Sequence, residues 1–429
     1  MAGLLHSILN SLITQGDLNV IYADGQHQTY GNGTPPHITL VFRNKAAQRA
    51  IALDPELKLG ECFMDGDIDF TSGDIYGFLQ LIFENTGPTA AKAPWMRMLN
   101  RMRRFFRPLQ QMNTLTRASK NVQRHYDLSG ALYDLFLDPD KQYSCAYFET
   151  PQTSLAEAQL AKKRHIAAKL QIRPDDTLLD IGCGWGGLGL YFAELLQADV
   201  TGVTLSHEQF QIANQRAQTR GLSTQARFIL QDYRKLDQQF DRISSVGMFE
   251  HVGVTHFAEF FEQVARLLKP NGTMLLHSIG RSDEPSVTNP FIRKYIFPGG
   301  YIPALSEVLP HIENSGLVIT DIEILRLHYA ETLKAWREAF IANREKAKAI
   351  YDERFCRMWE FYLAGSETAF RWQNMMVFQI QLAHKQDAVP LTRSYIELEE
   401  KRLKRLETRK LKACNDSIPD NNPSKHRVH

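Results

Sequence analysis

The sequence predicts an α/β protein: a doubly wound, Rossmann-like sheet with a smaller N-terminal α+β domain. Three observations predict it. From about residue 155 onward, helical and strand-like segments alternate, the pattern of a parallel sheet covered by helices on both faces. Within that alternation, LLDIGCGWGGL passes from a buried strand (Leu178 to Ile181) through glycines at 182, 184 and 186 into a helix starting near Gly187. Such a turn lets the backbone approach a ligand closely and points helix N–H groups at it. Before the alternation, residues 1–86 carry short β-like pieces broken by Asp24-Gly25, Gly31-Asn32-Gly33 and Pro35-Pro36.

Taken in order, residues 4–13 place Leu4, Leu5, Ile8, Leu9, Leu12 and Ile13 on one helical face. That face suits docking onto the N-terminal domain, with membrane insertion as the alternative. LNVIYADG, QHQTYG and HITLVFRN read as strands. DPELKLGECFMDGDIDF follows, and SGDIYGFLQLIFEN closes the domain near residue 86 as a helix started by Ser72 or Asp74.

Residues 87–124 form a basic linker holding nine Lys or Arg and no acid, a local asymmetry hidden by the net charge of +2. Trp95, Met98, Leu99, Met102, Phe106 and Leu109 recur there at helical spacing beside Arg97, Arg101 and Arg104. Such a helix suits an anionic membrane surface or serves as an inter-domain helix with a solvated basic face. Neither an aromatic–basic sheet motif nor a helix-turn-helix pattern accompanies it, so no nucleic-acid partner is expected. No apolar run is long enough to span a bilayer, and MAGLLHSILNSLI lacks the basic start and cleavage site of a secretory signal. Five scattered cysteines without CxxC spacing argue for a reducing compartment and against a zinc site or disulfide framework. The expected location is therefore cytoplasmic, with peripheral contact to the inner face of the membrane.

The catalytic domain is expected over residues 125–390. EAQLAKKRHIAAKL is a helix, TLLDIG a strand, GGLGLYFAELL a helix and ADVTGVTLS a strand. HEQFQIANQRAQTRG is a helix stopped by Gly221, ARFILQD the third strand and FDRISSVGMF the fourth. THFAEFFEQVARLLKP is a helix ended by Pro270 and Gly272, and TMLLHSIG the fifth strand. Beyond Gly280 come a Pro/Gly-rich insertion, the segment LSEVLPHIENSG, a strand-like LVITDIEILRLHY, and helical sequence from Glu331 to about Lys385. Residues 391–429 read as a charged helix fading into a polar, disordered tail.

The glycines alone fit two cofactors. Gly182, Gly184 and Gly187 satisfy GxGxxG, but a dinucleotide-binding sheet wants an acid at the end of the second strand. That strand ends in Thr204, Leu205 and Ser206, with Asp199 at its far end. An adenosylmethionine-binding sheet instead wants an acid just before the glycines, as Asp180 is. It also wants a polar pair after the third strand, as Asp232 and Tyr233 are, and a turn such as LLKPNGTMLL into the fifth.

With those residues, HYDLSGALYDLFLD, YSCAYF, VTGVTLSHEQ, FDRISSVGMFEHVG, LKPNGTMLLHSIG, FIRKYIFPGG, HYAETLKAWREAF and RMWEFYL are similar to motifs of a known family. They resemble the adenosylmethionine-dependent lipid methyltransferases that include the cyclopropane-fatty-acyl-phospholipid and mycolic acid cyclopropane synthases. The resemblance implies a class I methyltransferase fold, S-adenosyl-L-methionine as methyl donor, and a bicarbonate ion as base. It implies unsaturated acyl chains of a phospholipid membrane as substrate, and a homodimer. The bicarbonate pocket carries over onto Cys145, Glu250, His277, Ile279 and Tyr329, with Cys145 and Ile279 offering mainly backbone groups. For the cofactor it implies Tyr143 and Ser144 at the methionine end, with Gly182 and Gly184 beneath. Thr204, Leu205 and Gln209 then lie near ribose and adenine, with Asp232 and Tyr233 beyond. Glu250 beside an anion requires either that bicarbonate donate its own proton or that Glu250 be protonated, and both stay open. Glu250 and His277 are expected at the carboxyl ends of strands. No metal site is expected. YIFPGGYIP and the helices after Tyr329 are candidates for an acyl-chain lid, with ordinary core as the alternative.

Overall fold

The computed structural model describes residues 2–87 and 129–416. The basic linker beyond Gly87, the start of HYDLSG and the polar tail lie outside the described residues.

The N-terminal part is a four-stranded sheet of β1 (Asp17–Ile21), β2 (His27–Gly31), β3 (His37–Phe42) and β4 (Ile68–Ser72), in the order β2-β1-β3-β4. Only β1 and β3 run parallel. Alternation in LNVI does what a half-buried strand requires, placing Leu18 and Val20 wholly inside. Helix α1 (Ala2–Leu12) sets Leu5 and Leu9 against that core, and Ile13 follows them, whereas Leu4 stays exposed. The apolar face of the first helix therefore docks onto its own domain. Helix α2 (Lys45–Leu53), which the pattern reading passes over, starts where the Asn44 side chain accepts from the Ala47 N–H. Helices α3 (Pro55–Met64) and α4 (Ile75–Thr86) complete the layer, with Asp74 rather than Ser72 as the N-cap of α4.

The second sheet has seven strands: β5 (Thr177–Ile181), β6 (Asp199–Thr204), β7 (Ala226–Leu230), β8 (Phe240–Val246), β9 (Leu268–Arg281), β10 (Val318–Leu325) and β11 (Met375–Ala383). Their order is β10-β11-β9-β8-β5-β6-β7. Strands β5 to β9 are parallel, and β10 and β11 join antiparallel at one end. Helices α5 (Leu155–Leu170), α6 (Gly187–Leu196), α7 (His207–Thr219), α8 (Phe257–Leu267) and α9 (Leu305–Glu313) cover the sheet. Helices α10 (His328–Ala342), α11 (Arg344–Ile350), α12 (Glu353–Trp372) and α13 (Ser394–Asp416) follow.

Two expectations are corrected here. Helical sequence does not run on to Lys385: it stops at Trp372, Asn374 takes a left-handed φ of 56°, and MMVFQIQLA becomes β11. Eight of its nine residues are buried, and its alternation Phe378-Gln379-Ile380-Gln381-Leu382 is a short strand signal that the helical reading passes over. The fifth strand also begins earlier than TMLLHSIG, at Leu268, with an irregularity between its pairings at Phe240 and Arg242. Because β9 runs on to Arg281, His277 sits inside the strand, at the last position paired with β8 and level with the carboxyl end of β8.

The two sheets are joined through α3. Its Gly60 lies so close to Phe291 and Phe361 that a Cβ would overlap both rings. Arg357 on α12 donates to the Phe63 and Ile68 carbonyls, and Lys294 and Tyr295 both reach Glu61. Helix α13 lies on α5, where Arg164 and Tyr191 bind Glu407 and His165 binds Glu400.

Candidate active site

The glycine turn forms the floor of a cavity of about 150 Å³. Gly182, Gly184 and Gly186 all adopt positive φ, which only glycine takes without strain. A Cβ on Gly182 would strike Met248 at 2.8 Å, whereas one on Gly184 would meet nothing within 4 Å. The space above Gly184 thus belongs to the cavity. Behind it, Ser244 Oγ donates to Asp180 Oδ1 at 2.9 Å, while Asp180 Oδ2 is buried without a partner. Burial pushes the Asp180 carboxyl up to about 6.

Every residue assigned to the cofactor from sequence lies on this one wall: Tyr143, Ser144, Asp180, Gly182, Gly184, Thr204, Leu205, Gln209, Asp232 and Tyr233. Thr204 Oγ1 donates to Gln209 Oε1 at 2.8 Å, which locks the end of β6 to the first turn of α7. Asp232 is gripped by Arg234 at 2.7 and 2.9 Å. Tyr143 shares a 2.9 Å hydrogen bond with Tyr362, and its ring packs on Tyr133, Phe136 and Trp336.

The strap carrying Tyr143 and Ser144 is held from behind by α5, which sequence reasoning passed over. Gln159 Nε2 donates to the Gln142 and Ser144 carbonyls at 3.2 and 3.0 Å. Lys162 Nζ donates to Gln142 Oε1 and Ser144 Oγ, both at 2.7 Å. Burial lowers the Lys162 ammonium to about 8. Gln159, Lys162, His165 and Lys169 recur at helical spacing and read as a solvated face, yet each is at most 3% exposed. Gln159 and Lys162 spend their polarity on the strap, whereas His165 and Lys169 pair with acids on β10 and α13.

The five residues assigned to an anion pocket stand beside the cavity, not on its wall. Glu250 lies in the turn after β8, and its Oε1 accepts from the Ile279 N–H at 2.6 Å. That donor is therefore engaged by the protein. Glu250 Oε2 is buried without a hydrogen bond of full geometry, although the Ser278 hydroxyl is near enough to favour the carboxylate; burial outweighs it and pushes the carboxyl up to about 7. Cys145 and Tyr329 belong to one buried aromatic cluster against which Ile279 packs. Thr332, one turn beyond Tyr329, accepts from the Ala146 N–H at 3.0 Å and so ties the Cys145 strap to α10. Burial drives the Cys145 thiol well above its usual range, which keeps it protonated and unsuited to covalent attack. His277 joins through its carbonyl, which accepts from the Gly247 N–H on the cavity wall at 2.9 Å. Burial and the nearby charges of Lys162 and Lys169 hold its imidazole well below its ordinary pKa. Gln379 of β11 lies 3.1 Å from His277 Nδ1; no motif marked it, because its strand was read as helix.

His251 and Trp185 also line the cavity without having been singled out. Among the described residues, no group of three or more His, Cys, Asp or Glu could hold a metal, and no helix is long and apolar enough to cross a membrane.

These features have counterparts among known proteins. The family described as mycolic acid cyclopropane synthetase matches residues 113–380, and a domain of unknown function matches residues 4–93. The cyclopropane-fatty-acyl-phospholipid synthase of Escherichia coli strain K12 is 38% identical over 351 residues, 81% of this chain and 88% of that one. Among solved structures, the cyclopropane synthase MmaA2 from Mycobacterium tuberculosis aligns with a TM-score of 0.60 at 35% identity, covering 62% of this chain and 98% of that one. The mycolic acid cyclopropane synthase CmaA1 complexed with SAH and CTAB aligns at 0.59 and 36% identity, covering 62% and 97%. With its glycine-floored cavity, its seven-stranded sheet and these matches, the chain belongs to the mycolic acid cyclopropane synthetase family.

Proposed function

We propose that this chain transfers the methyl carbon of S-adenosylmethionine to the cis double bond of unsaturated phospholipid acyl chains and closes a cyclopropane ring. The observation that carries this reading is the adjacency of two unlike sites. A glycine-floored cavity with an orphaned Asp180 oxygen shares Tyr143 and Trp185 with a buried aromatic cluster, and Glu250, bonded to Ile279 at that cluster, keeps a second buried oxygen unbonded. The first fits a nucleoside sulfonium: open space lies over Gly184, and the buried acid carries an unused acceptor. The second fits a small anion able to donate or share a proton, since Glu250 titrates near 7.

When bound, S-adenosylmethionine supplies an electrophilic methyl group and bicarbonate a base. The chain's residues supply the rest. Gln159 and Lys162 fix the strap that carries Tyr143 and Ser144, so the donor end of the cavity is set before any ligand arrives. Tyr133, Phe136, Tyr143 and Trp336 form an apolar wall that keeps water from a cationic acyl chain. Their ring faces also favour positive charge. The Ile279 N–H anchors one oxygen of Glu250 and leaves the other free to accept a proton from the anion or to hold one itself.

The same reading assigns residues 1–86 and the basic linker 87–124 to the phospholipid surface, residues 125–390 to catalysis and residues 391–429 to a charged helix and tail, in a cytoplasmic homodimer. It is supported by the arginines at 97, 101, 103, 104 and 107. Neutralising them is expected to weaken turnover on anionic vesicles at low salt; unchanged vesicle binding refutes the surface role, and light scattering tests the dimer. The central experiment incubates the protein with unsaturated phospholipid vesicles and labelled S-adenosylmethionine, followed by proton NMR of the released acyl chains. Shielded ring protons are expected. A branched methyl without a ring overturns the reading.

A further inference from the structure

Strands β9 and β11 run antiparallel with His277 directly opposite Gln379. Residues paired in this way project from the same face and touch. Gln379 is fully buried and His277 is 2% exposed. Gln379 Nε2 lies 3.1 Å from His277 Nδ1, and no other protein group bonds this imidazole among the described residues. We propose that Gln379 is a positioning residue that fixes His277 as one tautomer, with Nδ1 bare and the ring proton on Nε2, so that the imidazole presents a donor to the anion of the site. The donor role rests on the bicarbonate reading above; the tautomer does not.

The buried ring carries one proton. Burial and the charges of Lys162 and Lys169 on α5 keep the ring from taking a second proton. A neutral imidazole carries a single N–H, and its location follows from what the other nitrogen meets. With the amide N–H₂ turned toward Nδ1, the amide donates and Nδ1 is the acceptor. That assigns the lone pair to Nδ1 and the proton to Nε2. Gln379 Oε1 is itself buried without a partner, so only the imidazole sets the sense of the amide; a reversed amide would accept from an Nδ1–H, the outcome that the spectra below detect. Glutamine suits this position better than its analogues. Leucine would strand the Nδ1 lone pair in a dry interior. Glutamate would draw a proton to Nδ1, reverse the tautomer and raise the affinity of the ring for a second proton.

The test begins on the unaltered protein, without ligand. Histidine labelled with ¹⁵N, read by two-bond proton–nitrogen spectra and assigned through the resonance lost in His277→Gln, is expected to show an unprotonated Nδ1. A protonated Nδ1, or an even mixture, overturns the assignment. Gln379→Leu and Gln379→Glu are then titrated with bicarbonate in carbon-dioxide-depleted buffer, with SAH binding measured by calorimetry. Both are expected to raise the apparent KM for bicarbonate by roughly tenfold or more, the usual scale for a supporting hydrogen bond. SAH affinity is expected to stay within about twofold, since Gln379 is not on that cavity wall. Unchanged bicarbonate dependence in both variants overturns the positioning role. Wild-type turnover independent of bicarbonate instead overturns the anion reading and the donor role with it, while the spectra still decide the tautomer.

Discussion

A methyl group added to Gly184 separates binding from folding. At φ 54° a non-glycine residue is strained, by about 1–2 kcal/mol. Sterically the protein has no objection, because the new Cβ meets no heavy atom within 4 Å. The methyl instead projects into the space assigned to the cofactor. Overpacking a fitted site costs about 1–3 kcal/mol, roughly 5- to 150-fold in affinity. Gly182→Ala is the opposite case: its Cβ would lie 2.8 Å from Met248 Cβ, with φ at 80°. Strain and collision then add in the folded protein itself, to about 2–5 kcal/mol. Calorimetric SAH titration alongside thermal melts reads both quantities. Gly184→Ala is expected to melt slightly below wild type and to lose most SAH binding; Gly182→Ala is expected to show the larger loss of stability. A Gly184→Ala protein that binds SAH within twofold of wild type refutes the placement of the cofactor over this turn.

Three further outcomes follow from the same geometry. Glu250 is raised from 4.5 to about 7 by burial, so folding takes up a proton between those values. Its contribution is intact below about pH 4.5 and lost as pH rises through 7, reaching about 3 kcal/mol of penalty above that. Glu250→Gln is therefore expected to raise the melting temperature at pH 8.5 but not at pH 4.5, while abolishing turnover; an equal shift at both pH values refutes the shift's origin in burial. Lys162→Met removes both bonds to the strap; of the roughly 1.5–3 kcal/mol each charged hydrogen bond contributes to holding it, about 1.4 kcal/mol is expected to appear as tenfold weaker SAH binding, and calorimetry showing full affinity would count against a preset strap. Gly60→Val drives a side chain into Phe291 and Phe361, and a loss of about 1–3 kcal/mol should appear as a lower melting temperature, with none seen if α3 is free to shift.

The parallel core of the fold was legible because its punctuation is local. Strand β5, the glycine turn and α6 fall where LLDIGCGWGGL places them, and Ser206 caps α7 at the residue after VTL. What escaped the reading has physical causes. In β11, flanked in the sheet by β9 and β10, the period-2 signal is confined to the five residues Phe378 to Leu382, too short to stand out after a long helical stretch. Its flanking helix α12 supplies strong helix formers up to Trp372, so only the left-handed Asn374 marks the change. Strand β9 hides its start differently. Lys269 and Pro270 look like the end of a helix, and the pairing with β8 simply skips the irregular residues between Leu268 and Thr273.

The candidate site divides along the same line. Residues whose backbone approaches the cavity leave a mark in sequence, because glycines, a preceding acid and polar strand ends occur in fixed order. Residues that act through other residues leave none. Lys162 looks like any lysine on a charged helix, and only its 1% exposure and its two bonds to the Tyr143 strap reveal a buried cation. Gln379 needed the register of a strand that sequence did not show, since its pairing with His277 spans 102 positions of chain. Ile279 shifted in meaning as well. Expected to offer a backbone group to an anion, its N–H is instead given to Glu250 at 2.6 Å. Under the proposed reading, the orphaned second oxygen of that carboxyl, rather than the amide, is the atom that meets the anion. A carboxyl pushed up to about 7 in that position can hold the proton or accept it, so on the same reading the neutral, singly protonated His277 sets how many donors an anion would find.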